Sequence, residues 1–290
     1  MGMLASPSFR EDPATSRRVS QVLILKFALA AALMGVLYGQ VLVELALDWW
    51  NVPAWSQGML IPPLAVYVAW LQRARTSAVP AAPDNRGVLL VGLACLIFLT
   101  GKLAAEFFLM RMSFVILLAG LLWAFWGTGR LRTLAFPLLL LATMVPLPVI
   151  LYNALAAPLQ LFASDVSARL AQQLGVTVFR DGNVIHLAST SLGVAEACSG
   201  LNSLSALIVA SLLIGYLLCS RLRARIVVAA LAIPLAIAVN LLRVTGTALI
   251  ADYNQEFAMG FYHSFSGWAV FLVGFAVLYG FAKASHFLLD

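Results

Sequence analysis

Long apolar stretches with hardly any charged residues are the feature that most restricts the fold of this chain. Charged residues make up only 10% of its 290 residues, whereas soluble domains carry about a quarter. A bilayer core is about 30 Å thick and is crossed by roughly 20 apolar residues in a helix. Because an unpaired backbone amide is costly in lipid, each span must be helical. The sequence therefore predicts an all-α, polytopic transmembrane helix bundle.

We predict eight spans, of which the second and third are short for a bilayer. The polar residues 1–20 are predicted to form a cytoplasmic tail, and residues 21–290 to form a single transmembrane domain. The apolar run after the tail lacks a clear cleavage site, so we interpret it as a retained first span. The eight predicted spans are 22–44, 57–72, 87–101, 112–128, 132–151, 198–219, 226–251 and 264–284.

Basic residues are distributed unequally between the two sides of this topology. With eight spans, 13 of the 18 Lys and Arg residues fall on one side, which the positive-inside rule makes cytoplasmic. Both termini then face the cytoplasm. The net charge of +6 is explained by these basic loops, and we therefore predict no nucleic-acid partner.

The longest connection, residues 152–196, is predicted to lie outside the cytoplasm between spans five and six. Apolar residues recur at helical spacing from Leu159 to Leu174, which is typical of an amphipathic helix on the membrane surface. The following stretch, VTVFRDGNVIHL, alternates around Asp181-Gly182. This alternation predicts a short β-hairpin.

Three chemically reactive side chains lie on three consecutive spans at the same predicted depth. Cys198 opens the sixth span, Arg243 lies in the outer half of the seventh, and His263 lies at the outer end of the eighth. A helix N-terminus favours a thiolate, and a guanidinium can stabilise an oxyanion. An imidazole can serve as general base and then as general acid. The combination predicts nucleophilic cysteine chemistry near the outer interface.

Each of these residues also has a simpler interpretation. A cysteine in a membrane helix is commonly small apolar filler, which is how we interpret Cys95 and Cys219. An arginine can extend to the interface, and a histidine at the end of a span can be an interfacial aromatic residue. For Arg243 a functional role is favoured, because Asn240, Arg243 and Thr247 share one helix face that is predicted to point into the bundle.

Polar residues near the thiol and the guanidinium are predicted to support them. The acid among them can pair with the arginine, orient the histidine or cap the sixth helix. The small residues can supply capping and close backbone approach. No HExxH, paired intramembrane aspartates, GxSxG or Walker loop occurs, so neither a metal nor a cofactor is predicted. The supporting residues are Glu196, Ser199, Gly200, Asn202 and Asn240.

The segments that carry these residues resemble the exosortase/archaeosortase family of membrane enzymes. They read AEACSGLNSL, NLLRVTGT and YHSFSGW, in that order along the chain. The Pro-x-Pro of Met144–Pro148 and the Gly-Asn of the hairpin are also similar, and the resemblance extends over residues 135–275. The family commonly has Ser-His-Gly after the first span, where this chain has Ser56-Gln57-Gly58.

The resemblance implies a cysteine transpeptidase of the bacterial inner membrane that acts at its outer face. By the resemblance, Cys198 is the nucleophile, Arg243 the electrostatic partner and His263 the acid and base. The implied partners are membrane lipid, exopolysaccharide export machinery and exported proteins with a C-terminal PEP-CTERM-type signal. Either Arg243 or Arg180 would read the glutamate of that signal.

Two other functions are compatible with the residues alone. A small polytopic transporter would use Arg243 and Glu196 to line an anion path, which explains the buried charge. A non-catalytic assembly factor for polysaccharide export would need no thiol. Only the enzyme explains why a thiol at the mouth of a helix accompanies a histidine and an intramembrane arginine.

Overall fold

The computed structural model describes residues 13–188, 190–194 and 201–289, which are helical almost throughout. The helices are α1 (Pro13–Asn51), a 3₁₀ helix (Pro53–Leu60), α2 (Ile61–Leu71), α3 (Arg73–Ala78), α4 (Arg86–Leu103), α5 (Phe107–Thr133), α6 (Ala135–Ala142), α7 (Val149–Gln173), α8 (Leu201–Leu218), α9 (Leu222–Tyr253), α10 (Gln255–Phe257), a π-helical turn (Ala258–Tyr262) and α11 (His263–Leu289). The strands are β1 (Val178–Asp181), β2 (Val184–Leu187) and β3 (Ser191–Gly193).

Seven helices within these described ranges are long and apolar enough to cross a membrane. The predicted all-α transmembrane fold is therefore confirmed, whereas the predicted count of eight spans is not. The seven candidate spans are Ala28–Asn51, Arg86–Leu103, Phe107–Thr133, Val149–Gln173, Leu201–Leu218, Leu222–Tyr253 and Phe265–Ala284.

Two of the predicted spans are divided into shorter pieces. Residues 57–72 contain the end of the 3₁₀ helix and then α2, which has proline at its first positions, where a missing backbone donor is tolerated. Residues 132–151 contain α6, which ends at Ala142. The chain then turns through the Pro-rich stretch Met144–Pro148 before α7 begins. Proline lacks the backbone donor of a helical hydrogen bond and disfavours the interior of a helix, and in these two regions the helix is interrupted next to prolines.

The predicted surface helix is part of a longer helix. α7 continues from Val149 to Gln173 through Pro158 and is one of the candidate spans. A separate extracytoplasmic helix between spans five and six is therefore not confirmed. The predicted hairpin is confirmed, because β1 and β2 pair antiparallel with Asp181 opposite Val184. In the described part of the chain, β3 adds a third strand beside β2.

The chain divides into two compact units, one up to Leu47 and one from Asp48 onward. The first unit contains most of α1, in which Gln40 Nε2 donates to Glu44 Oε1 at 2.9 Å. The second unit contains all the elements that carry the predicted site. A single domain from residue 21 stays a prediction.

An intramembrane arginine lies within α5, where the sequence was expected to run outside the membrane. Arg111 is 5% exposed and forms an ion pair with Asp48. Its guanidinium also lies 5.4 Å from the centre of the Phe107 ring. A buried charge is tolerated when it is paired, and the helix begins at Phe107, five residues before the predicted span.

The helices α8, α9 and α11 pack against one another in the second unit. Their shared core includes Leu207, Val228 and Leu278, which are fully buried. Against the later turns of α9 lie α7 and strand β2, where Ile185 and Val244 belong to one buried cluster. The later turns of α9 are thus enclosed by three helices and the sheet.

Candidate active site

Arg243 is buried in the later part of α9. Arg243 is 9% exposed to solvent, and on the same helix face Asn240 is 3% and Thr247 4% exposed. The prediction that this face points into the protein is therefore confirmed. Thr247 Oγ1 donates to the Arg243 carbonyl at 2.8 Å, which satisfies the hydroxyl within the helix. The Arg243 side chain is enclosed by neighbouring helices instead of extending to the interface.

The guanidinium of Arg243 rests on the first turns of α11. Its Nε donates to Ser266 Oγ at 3.3 Å. A Cβ added at Gly267 would lie 3.4 Å from Nη2 and 3.5 Å from Cζ of the arginine. The guanidinium therefore lies beside Gly267, at a distance that leaves room for a methyl group but not for a larger side chain.

His263 is the first residue of α11, and its side chain lies outside the described residues. It precedes Ser266 by three positions and Gly267 by four. Residues three and four apart lie on one face of a helix. The face of α11 that meets Arg243 is thus the face on which position 263 falls.

Tyr262 fixes the same end of α11 to α9. Its hydroxyl lies over Gly246 and leaves no room for a Cβ there. Gly246 is three residues after Arg243, one helical turn further along α9. The motif RVTGT therefore contains both Arg243, whose guanidinium contacts α11, and Gly246, against which the Tyr262 side chain packs.

The segment with the predicted nucleophile lies outside the described residues, together with its neighbours. The structure does not describe residues 195–200. This range includes Cys198, Glu196, Ser199 and Gly200. The chain enters this segment after Val194 and leaves it at Leu201, where α8 begins. The positions of these two ends show where the segment is attached.

Both ends are attached close to the Arg243 turn. Val194 is 1% exposed and belongs to the same buried cluster as Val244. At the other end, Leu204 in the first turn of α8 lines a small pocket together with Asn240. One end of the segment therefore belongs to the same buried cluster as the residue after Arg243, and the helix that follows the other end shares a pocket with Asn240.

Asn183 holds the entry to this segment. Its carbonyl accepts from the Val194 N–H at 2.8 Å, and its Nδ2 donates to the Val194 carbonyl at 3.4 Å. The same Nδ2 lies 3.4 Å from Gln160 Oε1 on α7. The Gly-Asn of the hairpin, noted in the sequence only as part of a resemblance, thus anchors the strand that leads to the predicted thiol.

Asn202 lies in the first turn of α8, and its Oδ1 accepts from the Tyr152 hydroxyl at 3.4 Å. This bond joins the first turns of α7 and α8. Arg180, the alternative reader of the substrate, pairs with Asp165 at 3.5 Å and donates to the Gly182 carbonyl at 2.7 Å. Arg180 therefore links the hairpin to α7, and its role as a reader of the substrate stays a prediction.

A large, mainly apolar cavity of about 330 Å³ opens beside the beginning of α8. Leu201 and Ser205 form its α8 wall, and Tyr152 and the Pro-rich stretch Met144–Leu147 form another. Gln57 of the 3₁₀ helix also lines it. The position at which this chain departs from the Ser-His-Gly pattern therefore faces the cavity beside the beginning of α8.

Several of these residues were not found from the sequence. Tyr152, Asn183, Ser266 and Gly267 act through contacts between distant segments, which no spacing rule reveals. Ser266 and Gly267 lie within the motif YHSFSGW, and this is the only signal that could have indicated them.

A protein-family model described as "Transmembrane exosortase (Exosortase_EpsH)" matches residues 49–280. This range covers most of the chain and every predicted site residue. The chain belongs to the transmembrane exosortase family. Comparisons with curated proteins and with solved structures found no match. The resemblance seen in three short motifs is thus confirmed at the level of the family, and the protein is a multi-pass membrane exosortase.

Proposed function

We propose that this exosortase is a membrane-embedded cysteine peptidase or transpeptidase. It cleaves the C-terminal, PEP-CTERM-type sorting signal of exported proteins at the outer face of the bacterial inner membrane. Cys198 is the nucleophile, Arg243 the electrostatic partner and His263 the acid and base. The observation that carries the proposal is the buried guanidinium of Arg243 on the turn of α11 that follows His263.

Covalent geometry limits the distance between position 198 and the start of α8. Consecutive Cα atoms are about 3.8 Å apart, so position 198 lies within about 11 Å of Leu201 for any backbone conformation. Leu201 begins α8, and Leu204 in the same turn shares a pocket with Asn240. Val194, before the segment, belongs to the same buried cluster as Val244, which supports the same arrangement.

The three side chains can divide the chemistry of peptide cleavage between them. The Cys198 thiolate adds to the scissile carbonyl, and the oxyanion that forms accepts hydrogen bonds from Arg243. Charge-assisted bonds of this kind are strong in a buried site. His263 then donates a proton to the departing amine, which leaves a thioester on Cys198. Water or an acceptor amine attacks this thioester and regenerates the thiol.

In this proposal each supporting residue has a role. Backbone amides at Ser199 and Gly200 would add donors to the oxyanion, and Glu196 would orient His263 or pair with Arg243. Asn202 is tied to Tyr152 at 3.4 Å, so it maintains the start of α8. Asn240 is 3% exposed one turn before Arg243 and helps to form the polar face of α9.

The cavity beside α8 is where we expect the substrate chain to lie. It is mainly apolar, as required by a substrate that is itself anchored in the membrane, and its wall includes Gln57 and Ser205 as polar groups. In the proposed topology both termini are cytoplasmic and the site faces the periplasm. The substrates are exported proteins, and exopolysaccharide export machinery is the proposed neighbouring system.

Substitution of the thiol tests this function directly. A tagged substrate with a PEP-CTERM-type signal is followed on a gel in cells that contain wild-type protein, Cys198→Ala or the control Cys95→Ala. Cys95 is exposed on α4 and lies far along the chain from the site. We expect uncut precursor to accumulate only with Cys198→Ala, at an unchanged level of the exosortase.

Normal cleavage by Cys198→Ala would contradict the cysteine mechanism and return attention to a transporter or an assembly factor. The acyl-enzyme adds a second readout. A thioester to Cys198 is expected to be released by hydroxylamine, so a trapped substrate adduct that resists hydroxylamine would also argue against the mechanism.

A further inference from the structure

A second cavity, of about 340 Å³, lies at the far end of α9 from the candidate active site. Arg225 in the first turn of α9 lines it, and Arg243 follows 18 residues later, which is about 27 Å along a helix. Arg75 of α3 and Arg132 near the end of α5 also line the cavity. Three guanidinium groups from distant parts of the chain therefore share one cavity.

Aromatic stacking and a backbone bond hold Arg225 in place. Its Nε donates to the Cys219 carbonyl at 2.9 Å, and its Cζ lies 4.8 Å from the centre of the Tyr216 ring. Tyr216 in turn stacks on Phe136, with ring centres 3.8 Å apart. Because the donor of this hydrogen bond is Nε, the two terminal nitrogen atoms of the guanidinium can still donate to a ligand.

The neighbouring polar groups complete a site that lacks negative charge. Within the described ranges, no carboxylate lies at ion-pair distance from Arg75, Arg132 or Arg225. Gln72 lines the same cavity, and its Nε2 is buried with no hydrogen-bond partner in the described part of the chain. Like charges brought together in one cavity repel each other, so an anion that enters it would stabilise the fold.

The cavity also joins separate parts of the molecule. The Thr76 and Thr133 hydroxyls lie 3.1 Å apart and link α3 to the end of α5. Arg225 belongs to α9 and Tyr216 to α8. An anion bound among the three arginines would therefore connect the α3–α5 region to the helices that carry the candidate active site.

We propose that this cavity binds the phosphate group of an anionic ligand, such as the head group of a phospholipid. Arginine forks match phosphate oxygen atoms in paired hydrogen bonds, and basic pockets between membrane helices receive acidic head groups. The buried Gln72 amide provides a further donor. The site is separate from the proposed peptide chemistry and does not depend on it.

Thermal unfolding of the full-length protein in an uncharged, phosphate-free detergent solution tests the proposal. Phosphatidylglycerol, phosphatidylcholine and glycerol phosphate are added separately to delipidated protein. We expect phosphatidylglycerol to raise Tm by roughly 5 °C near saturation, and phosphatidylcholine, which has no net charge, to have little effect. An equal rise with glycerol phosphate would identify a soluble phosphate as a sufficient ligand, whereas a rise with the lipid alone would identify the head group of a membrane lipid.

The variant Arg75→Gln/Arg132→Gln removes two of the guanidinium groups, both on exposed residues whose loss leaves the Arg225 anchor intact. Its matched control is Arg223→Gln, an exposed arginine on α9 outside the cavity. We expect the Tm rise to fall at least threefold in the double variant and to be retained in the control. Equal responses of both variants, or equal responses to both lipids, would overturn the proposal. Native mass spectrometry of bound lipid gives the same comparison without relying on stability.

Discussion

At the scale of single residues, the site depends on how closely α11 approaches Arg243. The guanidinium lies so near position 267 that a Cβ added there would already be in van der Waals contact with it. A methyl group is therefore tolerated, whereas a branched side chain would displace the arginine. The role of this glycine follows from its neighbour and could not be read from its own conformation.

We predict that Gly267→Val slows cleavage of a PEP-CTERM-type substrate by roughly 10²-fold, the usual effect of losing an oxyanion donor. Gly267→Ala should remain close to wild type. The control is Gly280→Val on the same helix, where nothing lies within 4 Å of an added Cβ. Rates are compared at equal amounts of membrane protein. A Gly267→Val variant that cleaves as fast as Gly280→Val would show that the position of Arg243 is unimportant.

At the scale of elements, α4 and α5 form a closely packed pair. Gly87 lies against the backbone of Ala124. A Cβ added at Gly120 would lie only 2.9 Å from the backbone nitrogen of Val91. Small residues allow membrane helices to approach in this way. The connection before α4 crosses α5 at Gly127, whose φ of 82° and ψ of 175° interrupt the helix.

The crossing is supported by a polar network at its edge. Asp84 Oδ1 accepts from the Arg86 N–H at 2.9 Å, and this backbone hydrogen bond lowers the pKa of the Asp84 carboxyl. Trp123 Nε1 donates to Asp84 Oδ2 at 3.2 Å. The carboxylate is thus kept ionised at the start of α4, where the helix dipole also favours a negative charge.

We predict that Gly127→Ala destabilises the protein by at least about 2 kcal/mol, because its backbone conformation is essentially restricted to glycine. The added Cβ would also meet the carbonyl of Ala82. Gly92→Ala on α4 is the matched control, since its Cβ would enter open space and alanine favours a helix by about 0.5–1 kcal/mol. Thermal unfolding in detergent measures both. An unchanged Tm for Gly127→Ala would mean that the crossing can rearrange at little cost.

At the scale of the whole molecule, the structure brings together loops that the charge pattern had assigned to one side. Arg75, Arg132 and Arg225 follow three different predicted spans, yet they line one cavity. Loops that share a cavity must lie on the same side of the membrane. By the positive-inside rule, their basic character predicts that this side is cytoplasmic, and the hairpin is then predicted to lie on the opposite side.

We predict that this topology can be read from single cysteines in a variant without Cys95, Cys198 and Cys219. Asp181→Cys in the exposed hairpin turn should react with a membrane-impermeant maleimide in intact cells. Arg223→Cys at the exposed start of α9 should react only after the cells are permeabilised. The reverse pattern would invert the topology and place the candidate site in the cytoplasm.

Much of the fold and part of the site could be predicted without coordinates. The apolar runs predicted membrane helices because backbone hydrogen bonds must be satisfied in lipid. The spacing of Asn240, Arg243 and Thr247 predicted one buried face, which the structure confirms. Local turn chemistry predicted the hairpin at Asp181-Gly182. The placement of Cys198 and of the His263 side chain stays a prediction.

The number and continuity of the helices were less predictable. Hydropathy is similar for a long helix and for short helices joined by turns, so residues 57–72 and 132–151 were predicted as single spans. Helical spacing also does not distinguish a surface helix from the end of a longer one, as in α7. Proline position and packing decide these cases, and a hydropathy pattern records neither.

By itself, the sequence determined that this protein is a helical membrane protein, which face of α9 is buried, and which three motifs carry the family resemblance. These properties depend on local period, composition and turn chemistry. Only the tertiary structure decided that Arg243 rests on Ser266 and Gly267, that Asn183 anchors Val194, and that three arginines meet in one cavity. Such contacts join segments far apart in the chain, and they depend on the shapes of packed side chains, which no local pattern specifies.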